Sequence, residues 1–108
     1  MASIDDVTDQ SFEAEILRSE LPAIVDFWAE WCAPCRQIAP VIAELAATYE
    51  GRIKVVKMNV DENQSTPARY GVRAIPTILA FRGGQVVEQI TGAQRKAAFE
   101  EMAKKLIA

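Results

Sequence analysis

The residues most able to do chemistry are two cysteines, Cys32 and Cys35, in the segment WCAPCR at residues 31–36. With two residues between them, the sulfurs can meet within one turn, so one thiolate can attack a disulfide and the other can resolve the mixed disulfide. The sequence has no histidine, which excludes Cys-His nucleophiles, imidazole bases and His-ligated zinc. Two cysteines also cannot complete a four-thiolate metal site within one chain. The spacing favours redox chemistry over two alternatives, a pair of inert buried thiols and a metal site shared between two chains.

The elements on either side of the cysteines would place them at a strand-to-helix junction. The apolar run AIVDFWA at 23–29 predicts a strand buried on both faces. Helical spacing follows it at Ile38, Val41, Ile42 and Leu45. Pro34 suits the first position of this helix, and Pro40 inside it is expected to produce a kink. Backbone N–H groups and the dipole at the start of a helix stabilise a thiolate.

The remaining pattern alternates helices and strands. A first helix would be capped by Thr8, and a second strand covers 53–60. A short helix then ends at Tyr70, and strands at 77–81 and 85–90 flank a tight Gly83-Gly84 turn. A last helix buries Phe99, Met102 and Leu106. This order predicts an α/β fold with a mixed sheet and helices on both faces.

Asp26 is a carboxyl group in the middle of the predicted buried strand. If it is buried without a partner, it should stay protonated to unusually high pH and could exchange a proton with the second thiol. The alternative is a residue at a sheet edge that faces water. Lys57 lies in the middle of the next strand. It could be the charge partner of Asp26, or it could point to solvent.

Length and charge limit the class of protein. The chain of 108 residues has room for one domain. Its net charge of −3, without any basic stripe, argues against a nucleic-acid partner. The N-terminus MASIDD lacks the basic and apolar regions of a secretory signal, and no apolar run approaches the ~20 residues of a membrane span. We therefore expect a soluble, cytoplasmic protein, unless a leader has been removed.

Several short stretches along the chain match a single family pattern. They are VDFWAEWC at 25–32, PC at 34–35, Pro40, NVDEN at 59–63, YGVR at 70–73, IPT at 75–77 and TGA at 91–93. In combination they resemble the thioredoxin family over essentially the whole chain, as one domain at 1–108. The resemblance implies a central mixed sheet flanked by four helices.

The resemblance also implies a role for each residue near the cysteines. Cys32 would be the exposed nucleophile and Cys35 the buried resolving thiol. Asp26 would lie beneath them as the general base, helped by Lys57. The peptide bond before Pro76 would be cis, although only ~5–6% of such bonds in folded proteins are.

A shallow apolar groove for a strand of a protein substrate is implied as well. Its lining residues would be Trp31, Ile75, Pro76, Gly92 and Ala93. Trp28, in contrast, is expected to do no more than pack in the core. The implied activity is general reduction of protein disulfides, without a bound cofactor or metal. The protein would be a monomer, re-reduced by an NADPH-dependent flavoprotein, thioredoxin reductase.

Two positions depart from the commonest family motif. Ala33 stands where glycine is usual, and Arg36 where lysine is common. Residues between the cysteines, here Ala33 and Pro34, tune the balance between dithiol and disulfide. Two other functions remain open on the sequence: a dedicated reductant for one partner, and a non-catalytic module that binds a partner in the groove.

Overall fold

A central five-stranded sheet organises the fold in the computed structural model, which describes residues 4–108. The strands are β1 Asp5–Asp6, β2 Ala23–Trp28, β3 Lys54–Asn59, β4 Thr77–Arg82 and β5 Gln85–Thr91. The helices are α1 Glu13–Leu17, wound as a π-helix, α2 Ala33–Thr48, α3 Ser65–Arg69 and α4 Lys96–Leu106. The expected four helices and mixed sheet are therefore present. The first three residues of the N-terminus, on which the expectation about a secretory signal partly rests, lie outside the described residues.

The strand order is β1-β3-β2-β4-β5. Strand β2 runs parallel to β3 and antiparallel to β4, which confirms the mixed sheet. Strand β1 is missing from the sequence prediction because it is only two residues long and both are exposed. The central position of β2 explains why its sequence is apolar almost throughout, since helices cover both of its faces.

Successive residues of β2 point to opposite faces of the sheet, and this builds two cores. Ile24 packs in the core beneath α2 and α4. Val25 and Phe27 pack in the core on the other side, with Phe12 and Ile16 from the α1 region. Two-residue periodicity therefore directs the next even-numbered residue, Asp26, toward α2.

Two local predictions have different outcomes. The Gly83-Gly84 hairpin turn is confirmed, with φ values of 60° and 80° that favour glycine. The prediction that Thr8 caps the first helix is wrong. Helix α1 begins at Glu13, and the Thr8 hydroxyl instead accepts a hydrogen bond from the Ser11 N–H in the preceding turn. A short polar side chain can stabilise a turn as readily as a helix end.

Within residues 4–108, no helix combines the length and the apolar character needed to cross a bilayer.

Candidate active site at the start of helix α2

Cys32 and Cys35 form a disulfide at the N-terminus of α2, with their Cα atoms 5.2 Å apart. Cys32 occupies the N-cap position in an extended conformation, and its Sγ accepts a hydrogen bond of 3.2 Å from the Cys35 N–H. Ala33 and Pro34 are the first two residues of the helix, so Pro34 lies one position later than the first position that the sequence predicts. The sulfur of Cys32 thus takes the place of a conventional capping oxygen.

The two cysteines do not differ in exposure. Each residue is 3% exposed, so the expectation that Cys32 is exposed and Cys35 buried is wrong for the disulfide form. The bond draws both sulfurs into one apolar cluster with Ala29, against which Ile75 packs. Their surroundings are what distinguish them, because Cys32 Sγ lies 3.8 Å from the carbonyl oxygen of Ile75, in the loop before β4.

Asp26 is buried beneath the disulfide. It is 5% exposed, and its Oδ1 has no hydrogen-bond partner within the described part of the chain. Burial raises the pKa of this carboxyl to about 7, although the positive charge of Lys57 opposes the shift. The alternative of a water-facing carboxyl at a sheet edge is therefore wrong.

A cavity of about 110 Å³ lies between Asp26 and Cys35. Its lining residues are Ile4, Asp26, Trp28, Cys35, Arg36, Ala39, Ile42 and Lys57. The indole Nε1 of Trp28 is a second buried polar atom that lacks a partner among residues 4–108. A space of this size admits water, which could satisfy both groups.

Lys57 lies beside Asp26 across the parallel β2–β3 pair, in direct register. Its Nζ is 4.7 Å from the centroid of the Trp28 ring, a cation–π geometry that holds the charge near the cavity. Lys57 therefore does not simply point to solvent. The expectation that Trp28 only packs in the core is incomplete. Trp28 is half-buried, lines the cavity and contacts the Lys57 ammonium group through its ring.

The residues expected to line a groove lie in three loops: Trp31 before α2, Ile75 and Pro76 before β4, and Gly92 and Ala93 after β5. The Ile75–Pro76 bond is cis, as the family resemblance implies. The N–H of Gly92 donates a 2.8 Å hydrogen bond to the carbonyl of Pro76, which joins the second and third of these loops. Ala93 follows Gly92 and is exposed, and Trp31 is 68% exposed.

Polar contacts around Trp31 were not predicted from the sequence. The indole Nε1 of Trp31 donates a 2.8 Å hydrogen bond to Oδ2 of Asp61. The Arg36 guanidinium donates a hydrogen bond to the carbonyl of Glu30, the residue before Trp31, 2.5 Å away. The available signal was the polar segment NVDEN at 59–63, which immediately follows the buried strand β3. Side chains at the carboxyl end of a parallel strand commonly contribute to sites.

Two cysteines that close a disulfide at the start of a helix form the redox centre of a thiol–disulfide oxidoreductase. The family model described as Thioredoxin matches residues 3–105. The chain is 48% identical over 107 residues to the thioredoxin of Synechocystis sp., covering 99% of this chain and 100% of that protein. It is 54% identical over 95 residues to the thioredoxin of Streptomyces clavuligerus, covering 88% of each chain.

The thioredoxin of Pseudomonas aeruginosa is 52% identical over 94 residues, 87% of each chain. The chain belongs to the thioredoxin family. It is a protein-disulfide oxidoreductase, which reduces the disulfides of other proteins by reversible dithiol–disulfide exchange through Cys32 and Cys35.

Proposed function

We propose that Cys32 is the nucleophile and Cys35 the resolving thiol of a general protein-disulfide reductase. The observation that carries the assignment is the position of Cys32 as the N-cap of α2, with its sulfur accepting the Cys35 N–H. The helix terminus stabilises a thiolate at this position, and thioredoxins are an established example of this effect. Cys35 instead faces the Asp26 cavity.

The reaction proceeds in two exchanges. The Cys32 thiolate attacks one sulfur of the substrate disulfide, forms a mixed disulfide and releases the other substrate sulfur as a thiolate. Cys35 then gives its proton to Asp26 and attacks Cys32 Sγ, which releases the second substrate thiolate and forms the Cys32–Cys35 disulfide. The two electrons pass from the dithiol to the substrate.

Asp26 is suited to this proton transfer because burial raises its pKa to about 7, close to neutral pH. Lys57 supports the ionised form of Asp26 through its positive charge. The cavity between Asp26 and Cys35 has room for water to carry the proton.

Substrate would lie against the apolar surface formed by Trp31, Ile75, Pro76, Gly92 and Ala93. A short extended segment of the substrate can hydrogen-bond to exposed backbone there, while its disulfide sulfur approaches Cys32. The exposed ring of Trp31 supports this assignment, because a large exposed aromatic residue beside a reactive sulfur commonly marks a contact surface.

The electron donor that we propose is an NADPH-dependent thioredoxin reductase, as the family membership suggests. The Cys32–Cys35 pair is itself the redox group, so we propose that the protein carries no bound cofactor or metal. We further propose that residues 1–108 form a single thioredoxin domain that works as a monomer in the cytoplasm, without nucleic-acid or membrane partners.

Insulin reduction tests the general reductase function. With NADPH and a bacterial thioredoxin reductase, we expect the protein to precipitate the insulin B chain and to oxidise NADPH catalytically. Activity with dithiothreitol but not with the reductase would overturn the proposed electron donor. No activity with either reductant would point to a dedicated partner instead.

A Cys32→Ser, Cys35→Ser double variant should be inactive in the same assay. Full biological function in that variant would favour a non-catalytic binding module.

The Ala33→Gly variant tests the departure from the family motif. Ala33 is the exposed first residue of α2, where an alanine fits without strain. Glycine adds backbone freedom worth ~0.4–1 kcal/mol. Since ~30 mV corresponds to ~1.4 kcal/mol for a two-electron couple, we expect the redox potential to move by no more than about 10–20 mV in either direction. Equilibration against a glutathione buffer measures the shift.

Ala47→Gly is the matched control for Ala33→Gly. Ala47 is an exposed residue of the same helix, in its last turn and remote from the sulfurs. This change should lower the stability of the protein without moving the potential. A shift several times larger than 20 mV in Ala33→Gly would show that Ala33 sets the redox role of the protein.

A further inference from the structure

Trp31 is exposed, yet its side chain makes a hydrogen bond to another loop. The residue is 68% exposed, and its Nε1 donates to Asp61 Oδ2 at 2.8 Å. The two residues belong to different segments, since Trp31 precedes α2 and Asp61 follows β3. An exposed side chain without such a bond would sample several rotamers and would lose that freedom on binding a substrate.

Asp61 is itself fixed by its own neighbours. Its N–H donates a 2.9 Å hydrogen bond to Oδ1 of Asn59, the last residue of β3. The carbonyl of Asn59 accepts a 3.1 Å hydrogen bond from Nδ2 of Asn63. The turn that carries Asp61 is therefore closed by side chains at both of its ends.

Asn63 is the buried member of this series, with 5% exposure. Besides donating to Asn59, it accepts a 2.9 Å hydrogen bond from the N–H of Asp9 through Oδ1. The Asp9 carboxylate in turn accepts the N–H groups of Ser65 and Thr66 at the start of α3, at 3.1 and 2.9 Å. Asn63 thus joins the loop after β1 to the turn after β3.

The hydrogen bonds form a continuous path from the start of α3 to the exposed ring beside the active disulfide. In order, the path contains Thr66, Asp9, Asn63, Asn59, Asp61 and Trp31. Most of its contacts involve side chains with a fixed geometry, and its centre is buried. Such a network restrains the orientation of its last member.

We propose that Asp61 and Asn63 are positioning residues for Trp31, and that they hold its ring in the orientation that a protein substrate meets. The proposal rests on the proposed role of Trp31 in the substrate groove. Asp61 acts directly, through its hydrogen bond to the indole. Asn63 acts indirectly, by closing the turn that presents Asp61. Neither residue takes part in the exchange of electrons or protons.

The principal consequence concerns the Michaelis constant for protein disulfides. A side chain that is free to move loses conformational entropy when substrate binds. For a side chain with several rotamers, this loss weakens affinity by about threefold to tenfold. We expect Asp61→Ala and Asn63→Ala each to raise KM for insulin by about this factor, with kcat changed less than about twofold. Acrylamide quenching of the tryptophan fluorescence, to which Trp28 and Trp31 both contribute, should rise in both variants.

Three further variants make the test specific. Asp61→Asn keeps an acceptor oxygen for the indole and should recover most of the affinity lost in Asp61→Ala. Glu62→Ala removes a neighbouring exposed negative charge and should leave KM unchanged. An equal rise in KM for Glu62→Ala would mean that charge, and not the hydrogen bond, is responsible, and would overturn the proposal. Asn59→Ala, at a less buried position, provides a second break in the path if Asn63→Ala does not fold, which thermal unfolding reveals.

A double-mutant cycle tests whether Asn63 acts through Asp61. If it does, Asn63→Ala adds less than about twofold to KM in the Asp61→Ala background. If the increases in KM of the two single variants multiply in the double variant, Asn63 does not act through Asp61 and its proposed role is wrong.

Trp31→Ala distinguishes a failure of the positioning role from a failure of the groove assignment. If Trp31→Ala itself leaves KM unchanged, the groove assignment is wrong, whereas a raised KM in Trp31→Ala alone contradicts only the positioning role.

Discussion

Cys35→Ser is expected to convert the protein from a turnover reductase into a trap for its substrates. The Cys32 thiolate survives at the N-cap of α2 and still attacks a substrate disulfide. The thiol that would resolve the mixed disulfide is absent, so the covalent complex accumulates. Insulin reduction should fall by about a thousandfold or more, since nothing else in the site replaces the second thiol. Non-reducing gels and peptide mass mapping detect the complex and locate its bond at Cys32.

The matched variant is Cys32→Ser, which should be equally inactive but should trap nothing by this route. Both residues are 3% exposed in the disulfide, so burial by itself does not predict which variant traps substrate. The prediction depends on the helix N-terminus at Cys32 and on its proximity to the loop before β4. Similar yields of trapped substrate from the two variants would contradict the ordered mechanism.

Asp26→Asn is expected to make the protein more stable, increasingly so as pH rises. Burial raises the pKa of Asp26 in the folded protein from 3.8 to about 7. Between these values the folded protein retains a proton that the unfolded chain has lost. The free energy of unfolding therefore falls as pH rises through this window, and above it the loss amounts to roughly 4 kcal/mol. Asparagine removes this penalty.

Urea denaturation at pH 5 and pH 8.5 measures the effect. We expect the stability advantage of Asp26→Asn over the wild type to be about 3 kcal/mol larger at pH 8.5 than at pH 5. Asp5→Asn, which removes an exposed carboxyl on β1, is the control for the loss of a negative charge. An advantage that is constant with pH would mean that Asp26 does not titrate in this range, and would remove the basis for its role as a base.

The same Asp26→Asn variant should be slower in catalysis despite its stability. In the proposed mechanism Cys35 then loses its proton acceptor, and general bases commonly contribute ~10²–10⁴ in rate. At neutral pH, where only about half of Asp26 is ionised, we expect insulin reduction to fall by about tenfold to a hundredfold. Rapid-quench trapping should show a normal rate of mixed-disulfide formation and a slowed rate of resolution. Slowing of the first step instead would place Asp26 in a different role.

The main elements around the active site could be predicted from the sequence because their signals are local. The run at 23–29 is apolar at every position except Asp26, and helical spacing begins shortly after Cys35. The disulfide motif therefore had to lie between a buried strand and a helix. The short strand β1 was not predictable in this way, because two exposed residues show no periodicity. The start of α1 was not predictable either, because a threonine such as Thr8 can stabilise a turn as well as a helix end.

The environment of each site residue depends on contacts between segments that are distant in sequence. The sequence raised the question of whether Asp26 is buried, but only the position of β2 between β3 and β4, beneath α2, decided it. Likewise, Lys57 becomes the neighbour of Asp26 through the parallel register of β2 and β3. The equal burial of the two cysteines depends on the disulfide itself and on the loop before β4 that packs against it.

The class of chemistry follows from the sequence alone, since two cysteines at this spacing and no histidine leave few alternatives within one chain. The order of the main helices and strands also follows from their periodicity. Which side chains meet depends on how the chain folds. Trp31 and Asp61 are 30 residues apart and Asp9 and Asn63 are 54 residues apart. Periodicity describes which face of an element is apolar, whereas a hydrogen bond between two loops requires the strand order and register that bring them together.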